Sequence, residues 1–286
     1  MAQERWTVLK VLEWTTEYFR EKGMEKPRLE AEVLLAHLLG VDRVGLYLNY
    51  DKPLKEEERR VYREMIQRRT AWEPIAYILG YNEFWSLRFK VSPECLIPRP
   101  ETEHLVEEVL RIGGQLQPPL RVLEIGTGCG AVAIVLAKEL KETQIVATDI
   151  SAHALSLAQE NAQAHGVGER IRFVQKDLFP CVGTPFCLIV SNPPYIPTDE
   201  ILQLAPDVRD YEPLNALDGG EDGLRFFREI AQGAPGFLIE GGWLLLEMGK
   251  GQAQKVTDIL EGEKFTHIEL VPDYAGIKRV VRAQRG

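Results

Sequence analysis

The sequence has few cysteines, no long apolar run and no overall excess of basic charge. Its four cysteines, at positions 95, 129, 181 and 187, lack the spacing of a metal site, so free thiols are expected and no metal is predicted. No apolar stretch approaches the length of a membrane span, and the first residues lack the apolar segment of a secretory leader. We therefore expect a cytoplasmic protein with no membrane attachment.

Basic residues are scarce in the larger part of the chain. The first ninety residues contain 16 Lys/Arg and 15 Asp/Glu, which leaves 18 Lys/Arg and 28 Asp/Glu for the rest of a chain whose net charge is −9. Proteins that bind nucleic acids usually present basic surface. The acidic remainder therefore favours a basic protein partner, and we expect no specific DNA binding.

The pattern of apolar residues divides the 286 residues into two domains and a linker. Residues 1–82 have helical periodicity, with one helix beginning at Pro27 and ending near Gly40. Alternation over residues 84–91 predicts a strand, and residues 95–97 are a second short apolar run. We therefore predict a helical N-terminal domain over 1–82, a β-hairpin linker over 83–100 and a catalytic domain over 101–286.

The catalytic domain is predicted to be α/β. From residue 120, strand patterns at 121–125, 144–148, 171–175, 186–190 and 243–247 alternate with helical patterns. Alternation of this kind predicts a parallel, doubly wound, Rossmann-like sheet. The final runs, 265–271 and 278–281, predict an antiparallel pair of strands at its end.

A glycine-rich turn follows the first parallel strand of this domain. Its residues are Gly126, Thr127, Gly128, Cys129 and Gly130. Such a turn by itself is compatible with NAD, FAD or S-adenosylmethionine, but the dinucleotide fingerprint places its third glycine one residue later. Glu124, just before the turn, would repel a pyrophosphate and attract an ammonium or sulfonium group.

Two further carboxylates are expected at the ends of the next two strands. Asp149 is placed to accept hydrogen bonds from ribose hydroxyls. Asp177 is placed to accept a hydrogen bond from an adenine amino group, and Leu178 to pack on the adenine ring. Each acid taken alone is better explained as a helix N-cap or a solvated loop residue. Three acids at three successive strand ends predict S-adenosylmethionine and a class I methyltransferase sheet.

The tetrapeptide Asn192-Pro193-Pro194-Tyr195 ends the strand pattern 186–190. Proline cannot donate a backbone hydrogen bond, so the strand must stop there. The Asn192 side-chain oxygen and the Pro193 carbonyl can accept both N–H bonds of a planar –NH₂ group, while Tyr195 packs on its flat face. Because these hydrogen bonds strengthen as the nitrogen becomes cationic, the tetrapeptide predicts methyl transfer to a held nitrogen.

Segments along the whole chain resemble the release-factor glutamine methyltransferases, the PrmC/HemK family. The segments are residues 96–103, 122–130, 176–179, 189–196, 211–223 and 246–252. The resemblance implies methylation of the side-chain amide nitrogen (N5) of the glutamine in the Gly-Gly-Gln motif of class 1 peptide-chain release factors, with an N-terminal domain for substrate recognition. It also implies that residues 126–130, Asp149, Leu178 and Asn192 line the cofactor site and that residues 192–195 hold the glutamine. A monomer is expected.

Several alternatives remain open at this point. A DNA adenine-N6 methyltransferase uses the same tetrapeptide, a sibling enzyme acts on a glutamine of a ribosomal protein, and a silent methyltransferase fold binds without catalysis. Arg99 and Glu101 either shape the entrance for substrate or form an ion pair and cap at a helix start. The arginines predicted on a helix over 55–69 are either a solvated face or a contact for an acidic surface or RNA. The loop over 196–221 is expected to be a lid or docking segment.

Overall fold

The structure, a computed structural model, describes residues 5–181 and 183–286, which divide into two units. The helical unit runs to Gly80 and includes Pro206–Tyr211, and the sheet unit comprises Tyr81–Ala205 and Glu212–Gly286. The α-helices of the described residues are α1 (Val8–Glu21), α2 (Pro27–Leu39), α3 (Arg43–Leu48), α4 (Glu56–Thr70), α5 (Ile75–Leu79), α6 (Thr102–Gly113), α7 (Ala131–Glu139), α8 (Ala152–Ala164), α9 (Pro206–Arg209), α10 (Arg225–Gly233) and α11 (Ala253–Gly262). The strands are β1 (Tyr81–Phe84), β2 (Leu87–Lys90), β3 (Leu120–Ile125), β4 (Thr143–Asp149), β5 (Ile171–Gln175), β6 (Phe186–Ser191), β7 (Leu238–Glu247), β8 (Phe265–Pro272) and β9 (Lys278–Arg285).

In the helical unit, α1 to α5 surround one apolar core. Its members include Leu12, Phe19, Leu34 and Leu35, all fully buried. Helix α2 begins at Pro27 and ends at Gly40, whose φ of 64° is the left-handed conformation of a helix C-cap, so both predicted limits are confirmed. The predicted helix over 55–69 is α4. The short helices α3 and α5 were not predicted, because five or six residues are too few to show a helical period.

Most arginines of α4 form ion pairs with carboxylates. Arg59, Arg60, Arg68 and Arg69 each form an ion pair with a Glu of the same unit. The Arg69 pair with Glu30 is buried, and its N–O distance is 2.8 Å. This pairing supports the interpretation of α4 as a self-neutralised helix face.

The hairpin at the start of the sheet unit differs from the predicted one. Strands β1 and β2 pair antiparallel around a turn at Trp85 and Ser86, which have φ values of 54° and 56°. The predicted strand over 84–91 is therefore wrong in its first residues, and residues 95–97 are not a strand. The alternation of apolar residues continues across a tight turn without interruption, so the period alone could not locate that turn.

The sheet unit has a seven-stranded mixed sheet, as the predicted fold class requires. The strand order is β5-β4-β3-β6-β7-β9-β8. Strands β3 to β7 are parallel, β9 is antiparallel to β7, and β8 pairs antiparallel with β9. The predicted Rossmann-like arrangement and the antiparallel final strand are confirmed. Among the described residues, no helix is long and apolar enough to cross a membrane.

The central strands end together at one edge of the sheet. Ile125 of β3 is in register with Thr148 of β4 on one side and with Ser191 of β6 on the other. A buried apolar cluster that includes Leu123, Ile189 and Phe227 joins the sheet to α10 and α11. The segments that follow β3, β4 and β6 therefore begin next to one another, at the ends of well-packed strands.

Candidate functional site

A cavity of about 510 Å³ lies where β3, β4 and β6 end, and we call it the strand-edge cavity. Of the predicted site residues, eight line it: Gly126, Gly128, Asp149, Asp177, Leu178, Asn192, Pro193 and Pro194. The others are not among its lining residues: Glu124, Thr127, Cys129, Gly130, Tyr195, Arg99 and Glu101. The structure therefore brings eight of the fifteen predicted site residues together at one cavity, and their roles there stay predictions.

The glycine-rich turn follows β3 directly and requires glycine for its backbone. Gly126, Gly128 and Gly130 have φ values of 74°, 55° and 84°. A Cβ at Gly126 or Gly128 would meet no atom within 4 Å, whereas one at Gly130 would lie 3.0 Å from the Ala158 Cβ. The first two glycines therefore leave open space at the cavity wall, and the third permits close packing of α7 and α8.

Glu124 lies behind this turn. Its carboxylate accepts hydrogen bonds from the Thr127 hydroxyl at 2.6 Å and from the Ala133 backbone N–H at 3.1 Å. The second bond satisfies an N–H of the first turn of α7, which no side chain at Gly130 can cap. Burial raises the pKa of Glu124 to about 8. The geometry therefore gives Glu124 a role in holding the turn, and its direct attraction of a bound cation stays a prediction.

Asp149 closes the turn from the neighbouring strand. Its two carboxylate oxygens accept backbone N–H bonds, one from Gly128 at 2.8 Å and one from Ser151 at 2.9 Å. Burial raises the pKa of Asp149, while these two bonds act in the opposite direction. A carboxylate oxygen can accept a second hydrogen bond. Asp149 can therefore hold the turn and accept a ligand hydroxyl at the same time.

Part of the cavity lining is apolar and includes Ile150, Leu178 and Phe226. Leu178, with φ 56°, is fixed by its carbonyl, which accepts a 2.7 Å hydrogen bond from the Thr148 hydroxyl. Ile150 is 56% exposed although it is a large apolar residue, and it lines the cavity together with Phe226. Neither Ile150 nor Phe226 was predicted. The position of Ile150 immediately after Asp149 was the available signal.

The charges that line the cavity are mostly negative. Glu94, Asp149, Asp177 and Asp218 are opposed by Lys176 and Arg225 alone. Arg225 is also engaged by Glu229, at an N–O distance of 2.9 Å. An acidic wall with apolar surfaces suits a ligand that combines a cationic centre with a flat ring, and it disfavours a pyrophosphate.

The tetrapeptide follows β6 and brings two acceptors together. The Ser191 hydroxyl donates to the Ile125 carbonyl at 2.8 Å and so ties the end of β6 to β3. The Asn192 side-chain N–H donates to the Thr102 hydroxyl at 3.1 Å. Within residues 5–181 and 183–286, no donor is hydrogen-bonded to the Asn192 side-chain oxygen or to the Pro193 carbonyl. Both acceptors needed for a planar –NH₂ group are thus available.

The backbone of Tyr195 is held by contacts with Gln252 and Gly223. Its carbonyl accepts a 2.9 Å hydrogen bond from the Gln252 side chain, and a Cβ at Gly223 would lie 2.4 Å from that carbonyl. Burial raises the pKa of the Tyr195 hydroxyl to about 12. A side chain at Gly223 would therefore displace the tetrapeptide. Packing of the Tyr195 ring on the substrate stays a prediction.

Arg99 and Glu101 do not pair with each other. Arg99 forms an ion pair with Glu212, which is buried and also accepts the Ile97 backbone N–H at 3.3 Å. Glu101 precedes α6 and makes no side-chain capping bond. The helix-cap interpretation therefore does not describe the structure. Arg99 instead fastens the segment before α6 to the loop over 196–221, whose residues 213–216 line the cavity.

Two family models match the chain, one in each unit. The PrmC N-terminal domain matches residues 10–80, and the methyltransferase small domain matches residues 105–205. Curated relatives are similar over nearly the full length. A release factor glutamine methyltransferase of Geobacter sulfurreducens is 48% identical and covers 99% of this chain and 98% of its own. A release factor glutamine methyltransferase of Rhodopirellula baltica is 41% identical, and the match covers 98% of this chain and 97% of the relative.

Solved structures of low sequence identity share the fold. A methyltransferase of Pyrococcus furiosus has a TM-score of 0.53 and 18% identity, covering 78% of this chain and 98% of its own. A ribosomal protein L11 methylase of Lactobacillus delbrueckii subsp. bulgaricus has a TM-score of 0.51 and 21% identity, covering 76% and 93%. These likenesses establish the methyltransferase sheet.

Proposed function

The chain belongs to the release factor glutamine methyltransferases, and on that premise we propose that it transfers a methyl group from S-adenosylmethionine to N5 of the glutamine in the Gly-Gly-Gln motif of class 1 peptide-chain release factors. The observation that carries the proposal is the pair of free acceptors, the Asn192 side-chain oxygen and the Pro193 carbonyl, at the wall of an acidic cavity.

The residues of the strand-edge cavity fit the proposed methyl donor. Gly126 and Gly128 leave room for it, Asp149 can accept hydrogen bonds from its hydroxyls, and Asp177 lies beside the apolar surface of Leu178. When bound, S-adenosylmethionine supplies a methyl group that its sulfonium already activates. The protein therefore needs to position the acceptor and exclude other nucleophiles, and near-attack positioning supplies roughly 7–11 kcal/mol.

Asn192 and Pro193 perform the positioning. An amide nitrogen is a poor nucleophile because its lone pair is delocalised into the carbonyl. Two acceptors that bind both N–H bonds raise the electron density on the nitrogen and fix the direction of its lone pair. The same two bonds strengthen as the nitrogen gains positive charge, so they stabilise the transition state more than the bound substrate. The extra proton of the methylated amide is acidic enough to leave to water, and no general base is assigned.

The helical unit is proposed as the substrate-recognition domain, and a protein partner fits the charge of the chain. Residues beyond position 90 hold 28 Asp/Glu against 18 Lys/Arg, which disfavours DNA. A glutamine of a ribosomal protein is the second candidate, because the two acceptors would hold any primary amide.

The test is a comparison of methyl acceptors with radiolabelled S-adenosylmethionine. We expect label on a wild-type class 1 release factor, and none on the same factor with the motif glutamine replaced by alanine. Ribosomal protein and duplex DNA serve as the competing acceptors. Equal label on the two release factors, or label on ribosomal protein or DNA alone, would refute the proposed substrate.

A further inference from the structure

A buried acid of unexplained function lies beside Asn192. Glu247 ends β7 and is 1% exposed, and its Oε2 atom is buried with no hydrogen-bond partner among the residues that the structure describes. A buried carboxyl group with an unsatisfied oxygen is costly to the fold. Such a residue at the end of a strand, next to the tetrapeptide, calls for a functional reason.

Thr102 joins this acid to the tetrapeptide. The Thr102 hydroxyl accepts the Asn192 side-chain N–H at 3.1 Å. Ser191 of β6 is in register with Leu246 of β7, so Glu247 lies next to Asn192, and both Thr102 and Asn192 act to lower the pKa of Glu247. A hydroxyl that accepts one bond still has its own proton to donate, and a carboxylate is an acceptor for it. While it accepts the Asn192 side-chain N–H, the Thr102 hydroxyl can therefore donate a hydrogen bond towards the unsatisfied carboxylate of Glu247.

This direction determines which end of the Asn192 carboxamide faces the cavity. Thr102 and Glu247 offer hydrogen-bond acceptors, so the –NH₂ group of the Asn192 side chain points towards them. The side-chain oxygen of Asn192 then points the other way. The reversed carboxamide would present its –NH₂ to the –NH₂ of the substrate, donor against donor. Orientation of an asparagine amide depends on its hydrogen-bond network, and here that network is Thr102 and Glu247.

We propose that Glu247, acting through Thr102, is a positioning residue that holds the Asn192 side-chain oxygen towards the acceptor nitrogen. The proposal rests on the proposed function, because it concerns the same site. A negative charge behind the carboxamide also polarises it, so that its oxygen becomes a stronger acceptor as positive charge develops on the substrate nitrogen.

Burial and the charged groups around Glu247 determine the pH range in which its carboxyl group is ionised. Burial raises the pKa of Glu247 to about 7, and Glu101 acts in the same direction. Arg279 acts in the opposite direction, although it also pairs with Asp273 at 3.3 Å. Tyr195, which faces Glu247 as well, stays neutral in this range because its pKa is about 12. Ionisation of Glu247 therefore falls in the neutral range, and the turnover rate should rise across it.

The activity test uses isosteric substitutions of Glu247 and Thr102. Glu247→Gln and Thr102→Val should each lower kcat by about tenfold to a hundredfold, the usual effect of removing a residue that orients a functional group. The KM for release factor and the Kd for S-adenosylmethionine should change little, and Thr102→Ser should retain most of the activity. The rise of kcat near pH 7 should be absent in Glu247→Gln. Thr143→Val is the matched control, because Thr143 is also a buried threonine of the sheet unit and does not line the cavity; it should leave kcat unchanged.

A second measurement needs no substrate. In ¹⁵N–¹H spectra, the Asn192 side-chain –NH₂ resonance should titrate with a midpoint near pH 7 in the wild type, and this titration should be absent in Glu247→Gln. A titrating resonance in a protein that fails to methylate release factor would refute the proposed function and leave the positioning network intact. Unchanged kcat in both Glu247→Gln and Thr102→Val, or a wild-type resonance that does not titrate, would overturn the network itself.

Discussion

At the scale of single residues, Asn192 lines the cavity and combines a side-chain N–H that donates to Thr102 with an oxygen to which no described residue donates. Aspartate would lose the donor and place a second carboxylate near Glu247. Glutamine would keep both groups but move them by one methylene, more than a near-attack geometry tolerates. The residue therefore matters for its exact length as well as its polarity.

Asn192→Ala should reduce turnover far more than binding. The substitution removes one of two acceptors that act on developing charge, and loss of a comparable donor elsewhere costs about 10²–10³ in kcat. We expect a fall of that size in kcat, with the Kd for release factor, measured by calorimetry, nearly unchanged. A large loss of release-factor affinity would instead show that Asn192 mainly docks the partner.

Glu124 should make the stability of the protein depend on pH. Its pKa is raised from 4.5 to about 8 on folding, so the folded protein retains a proton that the unfolded chain releases. The free energy of unfolding should therefore fall as pH rises from about 5 to 8, by roughly 1.4 kcal/mol per pH unit, and level off above that range. Glu124→Gln keeps an acceptor for Thr127 and removes the titration.

Urea unfolding of both proteins at several pH values measures this effect. Asp149 and Glu247 also have raised pKa values, but they contribute equally to both proteins, so the difference between the two isolates Glu124. The advantage of the wild type over Glu124→Gln should be greatest at acidic pH and shrink towards pH 8. A difference that is constant with pH would mean that Glu124 is ionised throughout.

At the scale of elements, the turn between β3 and α7 depends most on Gly130. Gly130→Ala should lower the free energy of unfolding by about 1–2 kcal/mol because alanine is strained in the left-handed backbone conformation. The loss should be larger in total, since the added Cβ would also lie 3.0 Å from the Ala158 Cβ. Gly262→Ala is the control, since that position has open space and an ordinary φ, and it should be neutral or stabilising by about 0.4–1 kcal/mol. Equal stability of the two variants in urea unfolding would contradict the packing argument.

The long elements were predictable because their apolar patterns are long. Strands β3, β4, β5 and β6 were located within one residue, since a buried parallel strand is an apolar run with polar ends. The turn of the first hairpin was missed because Trp85 and Ser86 adopt positive φ without glycine or asparagine. Propensity alone does not reveal a turn whose conformation the surrounding structure imposes.

The residues of the candidate site that directly follow a strand could be predicted from the sequence. The residues that follow β3, β4 and β6 were identified because parallel strands end at a common edge. Thr102 and Glu247 were not identified, because they meet Asn192 only through the fold, from positions 90 and 55 residues away. Phe226 was missed for the same reason, whereas Ile150 directly follows the predicted Asp149 and could have been found from the sequence.

At the scale of the whole molecule, the charge distribution should govern the encounter with the protein substrate. The residues beyond position 90, with 18 Lys/Arg and 28 Asp/Glu, carry a net charge of −10, so a partner with a basic surface would be attracted over a distance of about one Debye length. This attraction acts on the association of the two proteins and has little effect on methyl transfer within the complex. Salt should therefore affect kcat/KM far more than kcat.

Steady-state methylation of a release factor at increasing NaCl checks this expectation. Between about 0.05 M and about 0.3 M, the Debye length falls by more than half, so kcat/KM should fall several-fold while kcat at saturating release factor stays nearly constant. A short peptide that carries the Gly-Gly-Gln motif without added charge is the control, because it lacks the basic surface and should show little salt dependence. A rate on the intact release factor that is insensitive to salt would mean that shape and apolar contact select the partner, and that the acidic excess only disfavours nucleic acid.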